Sequence, residues 1–171
     1  MTSLQVINTK LDGVLKITPP TLFKDFRGEY VELYNKKLFL NAGVFNDFIQ
    51  DDISISHRNV LRGIHGDFQT WKLISCLRGH FYLLVVNNNP ESAQYKHWES
   101  FELSDSDRTM ILVPPKFGNG HLVLSKYAIF HYKQSTNYDR KSQFTIRWND
   151  ENYGFKWPIV NPILSLRDSS E

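Results

Sequence analysis

The most constraining feature of this sequence is a series of short apolar and aromatic runs, each interrupted by Gly, Pro, Asn or Asp. These runs recur about every eight to twelve residues, a spacing typical of β-sandwiches and barrels. Only residues 35–42, closed by Gly43, predict a helix of any length. The sequence therefore predicts an all-β fold, with strands at 29–34, 48–56, 71–77, 80–87, 96–103, 110–113, 120–124, 128–134 and 144–148.

Two local patterns refine this prediction. Residues 78–79, Arg-Gly between two apolar runs, predict a β-hairpin turn. In the run 48–56, strand alternation places four polar side chains on one face, namely Gln50, Asp52, Ser54 and Ser56. Such a face is either the wet outside of a sheet or the lining of a barrel that holds a polar ligand.

Composition limits the partners and the location. The 171 residues predict one domain over 1–171. With 20 Lys and Arg against 18 Asp and Glu, and no basic run longer than two residues, we expect no nucleic-acid partner. No segment approaches the ~18 apolar residues of a membrane span, so we expect no membrane partner. The single Cys76, among apolar neighbours, predicts a buried thiol in a reducing cytoplasm.

Candidate chemistry is concentrated where Arg62, His65 and Lys72 fall within eleven residues, separated by two glycines. This predicts a passage from strand to loop where side chains converge. Taken alone, a lone His or Lys is more often a surface or core residue than a catalytic one. His65, Asp67 and His121 could also meet as a metal-binding facial triad, although a three-His site is absent from the sequence. We expect no metal.

A fixed order of short motifs runs along the chain: DFRGEYVE (25–32), FIQDDISIS (48–56), LRGIH (61–65), WKL (71–73), VPPKFGNGHLVLS (113–125), FHYK (130–133), WND (148–150), WP (157–158) and ILSLRD (163–168). In this order they resemble the dTDP-4-dehydrorhamnose 3,5-epimerases. The resemblance implies a cupin-like jelly roll, a homodimer, no cofactor and no metal. It also implies that the substrate is a nucleotide-linked 4-keto-6-deoxy sugar.

The same resemblance implies roles for individual residues. A ketone at C4 acidifies the hydrogens at C3 and C5, so inversion needs proton-transfer groups on both faces of the ring. His65 would be the base and Asp168 its partner, Tyr132 the acid, and Lys72 the cation beside the C4 oxygen. Arg62, Gln50 and Arg167 would bind the diphosphate or the sugar. Arg27, Tyr30 and Glu32 would contact the nucleotide bound by a neighbouring subunit. Asp52 would also contact the substrate.

Three departures from the family pattern lie beside the expected sugar. Gly66 and Asp67 follow the histidine in place of an aromatic residue and a glutamine. Asn119 replaces a histidine, and His121 appears two residues later. Gln143 replaces a glutamate. The combination of RGIHGD (62–67) with GNGH (118–121) resembles the subgroup that epimerises GDP-linked 6-deoxy-4-keto-heptoses for bacterial capsule, in which Asp67 would hold an extra hydroxyl group.

Several alternatives remain open from the sequence. A dTDP-4-dehydrorhamnose 3,5-epimerase or a cupin 3,4-ketoisomerase would use similar acid and base groups. A metal-dependent cupin oxygenase would contain a transition metal, and a non-catalytic sugar-binding β-sandwich would leave the sugar hydrogens in place. The residues do not distinguish epimerisation at C3 alone from epimerisation at C3 and C5.

Overall fold

The protein is described by a computed structural model covering residues 4–19 and 22–170. Helices are few and short: α1 (Lys36–Asn41), a 3-10 helix (Arg140–Ser142) and α2 (Leu166–Ser170). The strands are β1 (Gln5–Asn8), β2 (Leu15–Thr18), β3 (Leu22–Asp25), β4 (Gly28–Val31), β5 (Gln50–His57), β6 (Leu61–Gly66), β7 (Lys72–Arg78), β8 (His80–Asn87), β9 (Trp98–Ser104), β10 (Met110–Val113), β11 (Phe117–Val123), β12 (Tyr127–Gln134) and β13 (Phe144–Thr145). The predicted all-β class is confirmed.

The strands form two large antiparallel sheets and one separate hairpin. One sheet has the order β1-β2-β10-β7-β12-β5 and the other β13-β6-β11-β8-β9, while β3 pairs with β4 and with no other described strand. The main core lies between the large sheets, because the inward side chains of β7 and β12 pack against those of β8 and β11. Two further apolar clusters cover the outer faces, one under α1 and one under residues 153–157.

The polar face of β5 points inward. Ser56 is buried, whereas Ile53 and Ile55 on the opposite face are exposed. This is the reverse of an ordinary amphipathic strand, whose apolar face would be buried. Of the four polar residues, Ser54 lines a cavity, so the structure supports the lining alternative at that position.

The predicted helix is present, with its ends set by two local features. Asn35 caps the N-terminus of α1 by accepting hydrogen bonds from the backbone N–H groups of Lys37 and Leu38. Gly43 follows the C-terminal cap with a φ of +84°, which glycine adopts without the Cβ clash of other residues. Phe39 anchors the helix in the outer cluster.

The hairpin predicted at residues 78–79 is wrong. Strands β7 and β8 are consecutive, but they belong to different sheets. Gly79 instead makes a corner: its N–H donates to Asp105, its φ is +83°, and a Cβ there would lie 2.3 Å from the carbonyl oxygen of Tyr127. The two flanking apolar runs pair with other strands, which a local pattern does not reveal.

Cys76 is buried at the end of β7, as expected, and burial raises the pKa of its thiol to about 12.

Candidate active site

A cavity of about 270 Å³ opens between the two large sheets. Its walls come from β5, β7 and β12 on one side and from β6 and β11 on the other, and the C-terminal segment closes one end. Nine of the predicted site residues line it: Arg62, His65, Lys72, Asn119, His121, Tyr132, Gln143, Arg167 and Asp168.

His65 and Asp168 form a hydrogen-bonded pair in the cavity wall. The Nε2 atom of His65 lies 2.7 Å from Oδ1 of Asp168, whose side chain is almost fully buried. The other carboxylate oxygen accepts a long bond from the N–H of Gly63 at 3.4 Å, and Ser165 accepts from the N–H of Asp168. Burial would raise the pKa of Asp168, but these hydrogen bonds, chiefly the one from His65, hold the pKa below its usual range. A charged Asp168 fixes the proton of neutral His65 on Nε2, which leaves Nδ1 unprotonated and able to act as a base.

Tyr132 reaches the same cavity from the opposite sheet. It lies on β12, where it pairs with Asp52 of β5 and Ile74 of β7, whereas His65 lies on β6 beside Asn119 of β11. Burial, together with the nearby Asp52 and Tyr138, raises the pKa of Tyr132 to about 12. Its phenol therefore keeps its proton near neutral pH and can act as a proton donor.

Lys72 begins β7 and is nearly buried, yet it lines the cavity. Its Nζ lies 3.9 Å from Oδ2 of Asp67. Burial lowers the pKa of Lys72, and the negative charge of Asp67 partly offsets that effect. An ammonium group held in a desolvated wall interacts strongly with negative charge that develops on a bound molecule.

Two arginines bring positive charge into the cavity. Arg62 donates from Nε to Ser56 at 2.9 Å, and Arg167 donates to Gln143 at 3.2 Å and to Thr145 at 2.9 Å. All three acceptors are neutral. Within the described ranges, no carboxylate forms an ion pair with either arginine, so both guanidinium groups can bind an anion such as a diphosphate.

The inner wall contains polar atoms without protein partners. Nε2 of His121, Oδ1 of Asn119 and Oγ of Ser54 are buried and form no hydrogen bond within the described part of the chain. His121 stacks on Phe130 with ring centroids 4.1 Å apart. Its burial and the charge of Arg62 lower the pKa of His121 to about 3, so this imidazole is neutral at ordinary pH.

Six of the predicted site residues lie outside the cavity lining. Gln50 and Asp52 bond to each other at 2.7 Å, and Asp67 accepts hydrogen bonds from the backbone of its own turn. The other three belong to the β3–β4 hairpin or its exit: Arg27 is exposed and paired with Asp25, Tyr30 is exposed, and Glu32 accepts from Asn35.

Sequence reasoning missed five lining residues: Ile53, Ser54, Phe130, Tyr138 and Ser165. The alternation in β5 signalled Ser54, and the FHYK motif contains Phe130, but each was interpreted only as part of a pattern. Tyr138 gave no local signal. It is held at the cavity because its N–H donates to Gln50 at 2.7 Å.

Metal ligands are not grouped in the described part of the chain, where no three His, Cys, Asp or Glu side chains come together. His65 and His121 both line the cavity but Asp67 does not, so these three residues do not form a triad. None of the helices within residues 4–19 and 22–170 is both long and apolar enough to cross a membrane.

Comparisons with known proteins agree on one family. The family model described as "dTDP-4-dehydrorhamnose 3,5-epimerase" matches residues 8–171. A protein of that name from Salmonella typhimurium is 36% identical over 170 residues, covering 96% of this chain and 92% of its own. A dTDP-4-dehydrorhamnose 3-epimerase from Streptomyces niveus is 31% identical over 165 residues, covering 92% and 78%.

Solved structures give the same result. The crystal structure of dTDP-4-dehydrorhamnose 3,5-epimerase from Bacillus anthracis, with TDP and PPi bound, superposes with a TM-score of 0.92. It is 32% identical in sequence and covers 97% of both chains. The cupin-like jelly-roll architecture is thereby confirmed.

Proposed function

The chain belongs to the dTDP-4-dehydrorhamnose 3,5-epimerase family and is a carbohydrate epimerase, and we propose that it acts on a dTDP-linked 4-keto-6-deoxy sugar through an enolate formed in this cavity. One observation carries the proposal: the His65–Asp168 pair and the Tyr132 phenol line a single cavity from opposite sheets. A base on one side of a sugar ring and an acid on the other are what inversion beside a ketone requires.

The first step is removal of the C3 proton. Nδ1 of His65 takes the proton, and the resulting imidazolium is stabilised by the Asp168 carboxylate 2.7 Å from Nε2. The electrons of the broken C–H bond move toward the C4 carbonyl, so negative charge grows on its oxygen. Lys72 supplies the positive charge that stabilises this enolate.

The second step returns a proton to C3 from the other face. Tyr132 donates its phenolic proton to the enolate carbon, and the C4 ketone is restored. This leaves a phenolate on Tyr132 and an extra proton on His65, and proton exchange with solvent returns both groups to their starting forms. The raised pKa of Tyr132, about 12, keeps the phenol protonated until the enolate forms. Repeating both steps at C5 would give the double epimer. Relatives of both kinds exist, a 3,5-epimerase and a 3-epimerase. Deuterium at C3 alone would indicate single inversion, and deuterium at both C3 and C5 would indicate double inversion.

The nucleotide is assigned to dTDP for two reasons. The name of the matching family specifies a dTDP-linked substrate, and the Bacillus anthracis structure contains bound TDP. The GDP-heptose substrate expected from Asp67, Asn119, His121 and Gln143 is not supported, and the dTDP alternative fits the comparisons better. Asp67 in particular gives little support, because its carboxylate is bonded within the protein.

The nucleotide-binding surface would be completed by a second copy of the chain. A cavity of about 270 Å³ lies just below the usual range of ligand pockets, ~300–1,000 Å³, so it suits a sugar ring better than a whole nucleotide sugar. The β3–β4 hairpin exposes Phe23, Phe26 and Tyr30, and β5 is an edge strand with exposed isoleucines. Exposed apolar groups and an unpaired edge are typical of a subunit interface. A cytoplasmic location stays a prediction from the single cysteine.

Hydrogen exchange tests the proposal directly. The protein is incubated in deuterated water with a dTDP-linked 4-keto-6-deoxyhexose, and C3 and C5 are observed by NMR; parallel samples contain the GDP-linked hexose and heptose. We expect deuterium at C3 with the dTDP sugar, and none with the variant His65→Asn. His80→Asn is the matched control, because His80 also pairs with a carboxylate, Glu102 at 2.9 Å, but lies outside the cavity lining.

Each other outcome has a defined meaning. No exchange with any of the three sugars would refute the enolate mechanism. Faster exchange with the GDP-linked heptose would restore the substrate predicted from the sequence. A 3-keto product would indicate a ketoisomerase, and full exchange in the His65→Asn variant would mean that another group is the base.

A further inference from the structure

Lys72 is a cationic side chain that is almost fully shielded from solvent. Its side chain is only 7% exposed, and its ammonium group faces a cavity that also contains Arg62 and Arg167. Burial favours loss of the lysine proton, because it removes water from the charged form. A neutral amine stabilises the negative charge of an enolate less than an ammonium does, so a nearby negative charge that holds the proton on Lys72 supports the proposed reaction.

Asp67 is placed to do this. Its Oδ1 accepts hydrogen bonds from the N–H groups of Gln69 at 2.9 Å and Thr70 at 2.7 Å, and its carbonyl oxygen accepts from the N–H of Lys116 at 2.7 Å. Both the main chain and one carboxylate oxygen are therefore held in place. The second oxygen, Oδ2, is left 3.9 Å from the Lys72 ammonium, and the Asp67 side chain is itself only 8% exposed.

No other described carboxylate lies within ion-pair distance of Lys72. Asp168 lines the same cavity, but its carboxylate is bonded to His65 and Gly63. The remaining titratable groups of the cavity are His65, His121, Tyr132 and Tyr138, together with the two arginines, and none of them carries negative charge near neutral pH. Asp67 is thus the acidic group that can balance the ammonium.

We propose that Asp67 is a positioning residue that keeps Lys72 charged and fixed in the cavity wall and that it makes no contact with the sugar. The inference rests on the proposed function for its catalytic consequence, but the pairing itself can be tested without substrate. Asp67 was expected to bind an extra sugar hydroxyl, and this assignment replaces that role with an electrostatic one.

The substitution Asp67→Asn separates charge from structure. Asparagine presents an Oδ1 that can accept the same two backbone hydrogen bonds, so the turn is preserved while the charge is lost. Asp67→Ser gives a second uncharged variant that can also cap the turn. Asp107→Asn is the matched control, because Asp107 likewise caps a turn, accepting from the N–H of Thr109 at 2.9 Å. That turn lies at the opposite end of β7, where Arg108 bonds to the carbonyl of Leu77.

The Lys72 ammonium is titrated by NMR in protein labelled at the lysine side chains, without any sugar. Removing an opposite charge at this distance shifts a pKa by about 1–3 units, so we expect the Lys72 titration to move down by that amount in both uncharged variants and to stay unchanged in Asp107→Asn. In the exchange assay, the alkaline limb of kcat should move down by the same amount, and activity below that limb should be retained.

An unchanged Lys72 titration in folded Asp67→Asn and Asp67→Ser would overturn the proposal. So would a shifted titration with no movement of the alkaline limb, because Lys72 would then be unimportant for the reaction. If the wild-type protein catalyses no exchange, the proposed function fails, while the titration still decides the pairing. A KM increase confined to one sugar, with the pH profile unchanged, would restore the hydroxyl-binding role.

Discussion

The substitution Asp168→Asn tests the base assignment most sharply, because the structure specifies how the new amide must orient. One carboxylate oxygen of Asp168 accepts from the N–H of Gly63, and the other bonds to Nε2 of His65. An amide oxygen must stay on the Gly63 side, since an NH2 group there would face another donor. The NH2 group of the variant therefore faces His65 and donates to Nε2.

This orientation inverts the histidine tautomer. Nε2 becomes the acceptor, so the proton of the neutral imidazole moves to Nδ1, the nitrogen needed as the base. The imidazolium also loses a charge-assisted hydrogen bond worth about 1.5–3 kcal/mol, which corresponds to about 10- to 150-fold in rate. With the wrong tautomer added, we expect kcat for exchange at C3 to fall by about 10³- to 10⁴-fold, similar to the aspartate-to-asparagine change in a serine protease triad.

The assay is the initial rate of deuterium incorporation at C3 for Asp168→Asn and wild-type protein at the same pH. Glu102→Gln is the matched control, because it makes the same acid-to-amide change beside a histidine outside the cavity lining, His80 at 2.9 Å. We expect the control to keep the wild-type rate. Circular dichroism and thermal melting of the variants check that the fold is retained.

A rate for folded Asp168→Asn within tenfold of the wild type would refute the reasoning. It would mean that Nδ1 of His65 is not the base or that the carboxylate contributes no charge stabilisation. Equal loss in the Glu102→Gln control would also contradict it, because the effect would then not arise in the cavity.

Three further predictions concern other parts of the molecule. Tyr132→Phe should slow formation of the epimer more than loss of the C3 hydrogen, because it removes the acid and keeps the base; equal slowing, measured by NMR, would contradict this division. The pKa of His121 is about 3 in the folded protein against ~6.5 unfolded, so only the unfolded state gains a proton as pH falls between these values. The free energy of unfolding should therefore decrease as the pH is lowered, by at most ~1.4 kcal/mol per pH unit from this group. When this free energy is measured by urea unfolding at several pH values, its dependence on pH should be weaker in His121→Phe. Gly66→Ala would place a Cβ 2.2 Å from the carbonyl oxygen of Phe117 and 2.4 Å from the ring of Phe144; we expect destabilisation of ~3 kcal/mol or more, visible as a lowered melting temperature, and an unchanged melting temperature would disagree.

Local patterns in the sequence predicted most strands because alternation and turn residues act within a few positions. Strands β8 and β10 have the predicted bounds, and the helix differs only at its ends. Strands β1, β2, β3 and β6 were missed as elements. β6 was interpreted as a passage into a loop because it contains Gly63 and Gly66, yet these glycines serve close approach to β11, where a Cβ at Gly63 would lie 2.7 Å from the carbonyl oxygen of Asn119.

The sequence alone determined the fold class and the family, because strand alternation is a property of neighbouring residues and motif order can be followed along the chain without knowing which residues meet in space. The tertiary structure decided the rest. It brought His65 within 2.7 Å of Asp168, 103 residues away, turned the polar face of β5 inward, and carried the chain from one sheet to the other at Gly79. It also placed the Asp67 carboxylate 3.9 Å from the Lys72 ammonium. These features depend on which strands pair and which side chains lose water, and both are set by packing between residues distant in the chain.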